Sequence, residues 1–408
     1  MTRPERRRRG RLSALVIALA GGAVAAAGCS PAGGGRAPAA SRDSWQGTIE
    51  ERNGVAHVRN PDTALWEDAA QPPLRFEPDG AFGGAASALS SIAGAVIDGA
   101  GNLHVYDAAA GQLVAFAPDG TVRHRAGAAG RGPGELQDVR GISTDGDATI
   151  WLANQGGRRL DAWGTDGTPG RSIDVNELGL TSVYMGGFVA PDRLALLTDA
   201  VHHMATNEYV VVDPAEPPSV TARFSIGAEP MVPIPPGMVL QLSHTFAPDR
   251  ILVGTWEQYV LRAFDAGGTL RRRVTRPVLY LRRPGFALRD QQYVGVALGG
   301  LAAPIVLASG HWLVLATWPT NVASPNIFAE TPASERPAIE WASSLDLFDA
   351  EGRFLYSLQY PGRQMPDIGR PWTVGPDGAL YTVNTEPFPQ VRRYRVVLQP
   401  PVAAGARR

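Results

Sequence analysis

The residues that could carry chemistry are few. The chain of 408 residues has one cysteine, Cys29, seven histidines and no lysine. Without lysine there is no Schiff base, no amine nucleophile and no phosphate-loop lysine. No nucleophile elbow and no His-Glu-x-x-His run occurs. A metal site would need side chains converging from distant segments. His202 and His203 are adjacent, so on an extended chain they point opposite ways and cannot both chelate. His244, Asp138, Gln241 and Asp367 stand in or just before segments read below as innermost strands. Asp138, His244 and Asp367 are thereby candidate ligands for calcium or zinc, although carboxylates at a channel mouth are common without metal.

A second constellation is aromatic. Trp256, Glu257 and Tyr259 follow one apolar run, and Trp318 follows the next. An insertion over about residues 319–342 holds Asn321, Asn326, Phe328, Glu330, Glu335, Arg336, Glu340 and Trp341. Loops beyond about 12–15 residues are uncommon and often functional. Aromatics beside carboxylates and amides suit a sugar, a peptide or a protein surface. The candidate binding rim is therefore Trp256, Glu257, Tyr259, Trp318, Asn321 and Trp341, with His202 in the corresponding loop of the preceding repeat. The competing reading packs both Trp256 and Trp318 between neighbouring elements and leaves the loop as a lid without a ligand.

These residues must be positioned by a repeated element. Six times a short apolar run breaks at a Gly/Asp-rich or Pro/Asp turn and resumes. The turns are Asp98–Asn102, Thr144–Asp147, Ala190–Arg193, Ala247–Arg250, Ala308–His311 and Gly375–Gly378. The period, roughly 45–65 residues, suits propeller blades. The second strands, such as Leu103–Tyr106, Thr149–Leu152 and Trp312–Leu315, are continuously apolar, as expected of strands buried on both faces. Each third strand ends at a turn in which Gly supplies positive φ, such as Pro118-Asp119-Gly120 or Ala350-Glu351-Gly352. Helix signals are nearly absent, and 34 prolines argue against long helices. The pattern predicts an all-β, six-bladed propeller of four-stranded antiparallel blades. The last repeat lacks an outer strand. The orphan strand Gly54–Arg59 is expected to supply it, so that an N-terminal strand completes the last blade and closes the ring.

The run Gly130-Arg131-Gly132-Pro133-Gly134-Glu135-Leu136, followed by Gly141-Ile142 and Ile150-Trp151-Leu152-Ala153-Asn154, resembles an NHL-type repeat. The mature chain is similar to six-bladed, TolB-like propeller lipoproteins of bacteria. That resemblance implies a fold and leaves activity open, because one propeller hosts many functions. Amidating lyases of the NHL family hold channel zinc through His from several blades. Here the other repeats offer no matching inner His. Six-bladed lactonases hold calcium through channel Glu, Asn and Asp.

The N-terminus reads as an address. Arg6–Arg9 and Arg11 precede the apolar, uncharged Leu12–Ala27, which is short for a membrane span and suits a signal peptide. It ends at Ala26-Ala27-Gly28-Cys29, which resembles a bacterial lipobox, with Ala26 where Leu is usual. The resemblance implies lipidation of Cys29, and multiple acyl chains give stable anchoring. Ser30 after it resembles the pattern sorted to the outer membrane. Residues 1–28 are thus read as signal peptide, 29–46 as a flexible Pro/Gly/Ala/Ser tether, 47–400 as propeller and 401–408 as tail. The chain carries a net charge of −1, and loss of residues 1–28 removes six Arg and one Glu. A mildly acidic mature domain argues against a nucleic-acid partner.

The functional expectation is a lipid-anchored, extracytoplasmic binding module for a protein, peptide or glycan, working through the rim of repeats 3–5, with no catalytic residue assigned. One alternative is a channel-sited metal-dependent hydrolase, lactonase or lyase. Another is a structural scaffold of an envelope complex.

Overall fold

The computed structural model describes residues 44–401 except 85–88, 199–205, 228–241, 256–258, 278–284, 290–291, 297–299, 322–334, 336–337, 339, 363–369 and 386. Six small antiparallel sheets form a ring, a six-bladed propeller. Blade 1 orders Ile92–Ile97, Leu103–Asp107, Gln112–Phe116 and Val122–Ala126 from the axis outward. Blade 2 runs Ile142–Thr144, Thr149–Asn154, Arg159–Gly164 and Pro169–Asp174, and blade 3 Val183–Ala190, Arg193–Thr198, Thr206–Asp213 and Ser219–Gly227. Blade 4 comprises Leu242–Ala247, Arg250–Thr255, Val260–Asp265 and Leu270–Thr275. In blade 5 the innermost strand is broken into Gly300–Leu301 and Ile305–Val306, and Trp312–Pro319, Trp341–Phe348 and Phe354–Pro361 follow. Blade 6 is Arg370–Val374, Leu380–Asn384 and Gln390–Leu398, closed by Leu74–Gly83.

An N-terminal strand does complete the last blade, but it is not Gly54–Arg59. Leu74–Gly83 pairs antiparallel with Gln390–Leu398, so both chain ends meet in blade 6. Its sequence hides the strand, because Pro78-Asp79-Gly80 reads as a turn. Proline is tolerated on a sheet edge or at a bulge, and the register shifts between Pro78 and Gly80. Val55–Arg59 instead lies parallel to Leu270–Thr275 on the outer edge of blade 4, with Thr48–Arg52 folded back outside it.

Residues 45–83 thus form a belt along the outer wall of blades 4, 5 and 6. Asn60, 5% exposed, is its fastening point. Its backbone N–H donates to Thr275 O of blade 4 (2.9 Å). Its side-chain Nδ2 donates to Gly352 O (2.9 Å), and its Oδ1 accepts from Phe354 N (2.6 Å), both in blade 5. Oδ1 also accepts from Trp45 Nε1 at 3.1 Å. Leu65 and Trp66 continue along blade 5, donating backbone bonds to Phe354 O and Leu355 O.

The cores lie between blades, because each sheet is apolar on both faces. Trp312, Val314, Phe348 and Phe354 of blade 5 pack against Leu252, Leu261 and Val274 of blade 4, with Val58 of the belt. The hairpin turns repeat one chemistry. Asp98, Asp145, Asp265 and Asp349 each accept two backbone N–H bonds, two and four residues on. The glycines of the third turns also seat blade on blade. A Cβ at Gly167 would meet His124 at 2.6 Å, one at Gly268 would meet Phe224 at 2.1 Å, and one at Gly352 would meet Val274 at 2.4 Å. Each neighbour lies on the outer strand of the preceding blade, and each glycine has φ between +82° and +87°. Gly120 of blade 1 rests the same way on Ala81 of the closing strand.

Candidate functional site

The loops between second and third strands share one face of the disc, and on that face blade 5 carries an open cleft of about 680 Å³. Thr320, Glu340, Trp341, Gln359, Tyr360 and Pro361 line it, with Ala342 and Gly362. The register explains their meeting. Trp341 pairs with Pro319, Ala342 with Pro361 and Ser343 with Tyr360, so the ends of three strands converge. The neck of the insertion is hydrogen-bonded. Asn321 Nδ2 donates to Ala338 O (2.7 Å), and Asn321 Oδ1 accepts from Glu340 N (3.0 Å). Thr320 N donates to Glu340 O (2.8 Å), and Ser343 Oγ donates to Gly362 O (2.7 Å). These bonds hold the Glu340 and Trp341 backbone at the cleft wall. Among the described residues that line the cleft, Glu340 is the one charged side chain.

The candidate rim residues part company. Trp341 lines the cleft, and Asn321 braces its neck. Trp318 pairs with Ala342, one register position from Trp341, and so lies on the other face of the sheet. It is half-buried against the core between blades 4 and 5. Tyr259 is not on a rim. It is 3% exposed, and its hydroxyl donates to Asp346 Oδ2 across the seam between blades 4 and 5 at 2.5 Å. Cys29, His202, Trp256, Glu257 and Asp367 lie outside the described residues.

The Asp346 cluster was not foreseen. Its fully buried carboxylate accepts from Tyr259 Oη, from Arg276 Nη1 (2.6 Å) and, on Oδ1, from Ser357 Oγ (2.6 Å). The Arg276 guanidinium also lies 3.8 Å from the Phe354 ring centre. Blade 2 repeats the arrangement with Asp161, which accepts from Asn154 Nδ2 (2.6 Å), Arg159 Nη2 (2.9 Å) and Ser172 Oγ (2.6 Å). In both blades Asp on the third strand faces Ser on the fourth. That pairing, Asp161/Ser172 and Asp346/Ser357, is the signal sequence reasoning could have used. Recurrence in two blades marks it as a fastening of the fold.

Of the candidate metal ligands, His244 and Asp138 fall within the described residues. His244 turns into the interface with blade 3, where its Nδ1 lies 3.2 Å from Tyr209 Oη and its ring meets Tyr209 edge-on at 5.9 Å. Burial among these rings pushes the imidazole down to about 4 and the Tyr209 phenol upward. Asp138 is exposed, with φ +47°, and its carbonyl accepts from Gly156 N (2.9 Å). Its carboxylate lies over Gly156, where a Cβ would come within 2.9 Å of Oδ2. Among the described residues no group of three or more His, Cys, Asp or Glu side chains gathers as a metal would require.

The positions that open the loop after strand two are structural in the first two blades. Asp107 accepts from Ser90 N (2.8 Å) and Ser91 N (3.0 Å), and Asn154 accepts from Gln137 N (2.9 Å) while donating to Glu135 O (2.8 Å). Each ties its strand to the segment entering the innermost strand. A longer contact from Ala110 N to Asp107 Oδ1 (3.4 Å) reaches the following turn. In the Gly130–Leu136 run, Glu135 Oε2 accepts from Gly132 N at 2.7 Å, which curls the loop upon itself.

No family model matches this sequence, and no curated protein matches it. Solved structures do. A member of the DUF4221 family from Bacteroides vulgatus is 13% identical with a TM-score of 0.53, over 79% of this chain and 98% of that one. A protein of Bacteroides fragilis described as exported is 10% identical with a TM-score of 0.50, over 83% and 99%. At these identities the likeness is one of fold, and the fold defines the chain as a six-bladed propeller.

Proposed function

We propose that this chain is a lipid-anchored, extracytoplasmic propeller of the NHL- and TolB-like kind that binds a protein, peptide or glycan through the blade 5 rim. The observation that carries the reading is the cleft in which Trp341 and Tyr360 stand beside Glu340, Gln359 and Thr320. Aromatic rings supply contact area at small entropic cost, and the amide, carboxylate and hydroxyl supply direction. With Glu340 the one charged side chain among its described lining residues, the cleft suits a neutral or cationic ligand better than a phosphate or an acidic peptide. Lipidation at Cys29 and export rest on the signal-like Arg6–Cys29 segment.

The test is a panel of neutral oligosaccharides and of peptides, presented to the Cys29→Ser chain and to the same chain carrying Trp341→Ala. Binding that falls at least tenfold on Trp341→Ala, with unchanged thermal unfolding, supports the reading. Binding indifferent to Trp341, or no binding by any member, contradicts it.

A further inference from the structure

The belt fixes where the N-terminal segment joins the disc. Trp45 packs on the core shared by blades 4 and 5 and donates to Asn60. Gly47 passes so close to Trp45 and to Arg59 O that a Cβ there would come within 2.2 Å and 2.4 Å of them. Thr48 is paired with Arg59, and Arg59 with Thr275, so the chain enters beside the end of the blade 4 outer strand. The next residue, Asn60, bonds to both Thr275 of blade 4 and Gly352 of blade 5. The entry point is therefore on the outer wall, at the seam between blades 4 and 5, and on neither face of the ring.

We infer that a lipid surface meets this propeller at that wall, with the seam between blades 4 and 5 nearest the bilayer and the seam between blades 1 and 2 farthest from it. The inference rests on the lipid-anchor reading of Cys29. Fifteen residues separate Cys29 from Trp45. A Gly/Pro/Ala-rich chain of that length has a root-mean-square span of about 20–25 Å. A compact body of this size has a radius of gyration of about 20 Å, hence a width of about 50 Å. The tether is thus shorter than the disc is wide. In a ring of six the seam opposite that between blades 4 and 5 is the one between blades 1 and 2, where the outer strand Val122–Ala126 of blade 1 sets His124 against Gly167 of blade 2. Attachment at the wall leaves the blade 5 cleft and both mouths of the channel open to solvent. An anchor entering on a face would cover one of them.

The test uses full-length lipidated protein purified from membranes and placed in phosphatidylethanolamine/phosphatidylglycerol vesicles carrying a headgroup acceptor dye. A lipidated Cys29 has no free thiol, so an introduced cysteine is the sole labelling site. Glu51→Cys marks the belt strand Thr48–Arg52, and Arg123→Cys marks the blade 1 wall; both positions are exposed. The expected result is energy transfer to the acceptor at least threefold greater from position 51 than from position 123. Equal transfer, or greater transfer from position 123, overturns the inference while leaving the anchor intact. Maleimide labelling of the unsubstituted protein, or its failure to bind vesicles, overturns the anchor reading and the orientation with it.

Discussion

Trp318 and Trp341 sit one register position apart on adjacent strands of blade 5 and face opposite ways: Trp318 packs towards blade 4, and Trp341 lines the cleft. The two tryptophans should therefore fail differently. Trp318→Ala is expected to lower stability by about 2–3 kcal/mol, less than a fully buried Trp because the ring is half-exposed. Trp341→Ala is expected to leave stability within about 1 kcal/mol. Urea unfolding of the two variants side by side checks this, and equal losses would show both to be core.

The Asp346 cluster predicts an asymmetric pair of substitutions. Tyr259→Phe removes one of three donors and should cost about 1–2 kcal/mol. Arg276→Met removes the countercharge of a fully buried carboxylate and should cost about 3–5 kcal/mol. Asp346→Asn in the Arg276→Met background should recover part of that loss. A double variant no better than the single would mean the carboxylate is not what the arginine supports.

How much of this was legible in the sequence depends on the distance over which each feature is decided. The hairpins are local. Asp98, Asp145, Asp265 and Asp349 bond their own turns, and blade number follows from counting such phrases. Ring closure is not local. Leu74–Gly83 finds its partner more than 300 residues away, and Pro78-Asp79-Gly80 disguises it, whereas Val55–Arg59 looks like a cleaner strand and is spent on the edge of blade 4. The rim divides for a similar reason. Whether Trp318 or Trp341 faces the cleft turns on a single register step, which a one-residue slip would reverse. Gln359 and Tyr360 reach the cleft only because the outer strand ends beside Trp341, and nothing near them in sequence says so.

Asn60 joins the belt to blade 4 through its backbone N–H and to blade 5 through two side-chain bonds in buried surroundings. Asn60→Ala would leave Gly352 O and Phe354 N without that partner and should cost about 2–4 kcal/mol. Hydrogen exchange should quicken first in residues 45–66, before blades 1 to 3. Uniform acceleration across the ring would show that the belt does not open separately.

Acid should weaken the fold through two histidines. Burial lowers His244 to about 4, and burial lowers His104 despite the opposing pull of Asp98 at 3.0 Å. Arg123 adds to the His104 shift, and the His124 ring lies 6.3 Å away. A histidine held neutral gives stability that is full above its unfolded value near 6.5 and is lost as pH falls towards its folded value. For His244 the loss between pH 7 and pH 4 is on the order of 1–3 kcal/mol, reduced by its partial exposure. Thermal midpoints from pH 7.5 to 4.5 should fall below pH 6.5, and His244→Gln should flatten the curve. A midpoint unchanged across that range would mean neither imidazole is buried neutral in the native state.

The most direct test of the account is affinity measured at the blade 5 cleft itself. Isothermal titration of the first neutral oligosaccharide or peptide hit should be run on the Cys29→Ser chain and on its Trp341→Ala, Glu340→Gln and Asp138→Asn derivatives. The account predicts a loss of at least tenfold for Trp341→Ala, a smaller loss for Glu340→Gln and none for Asp138→Asn at the mouth of blade 2. Affinity that survives Trp341→Ala and collapses on Asp138→Asn would contradict it and move the site to the channel.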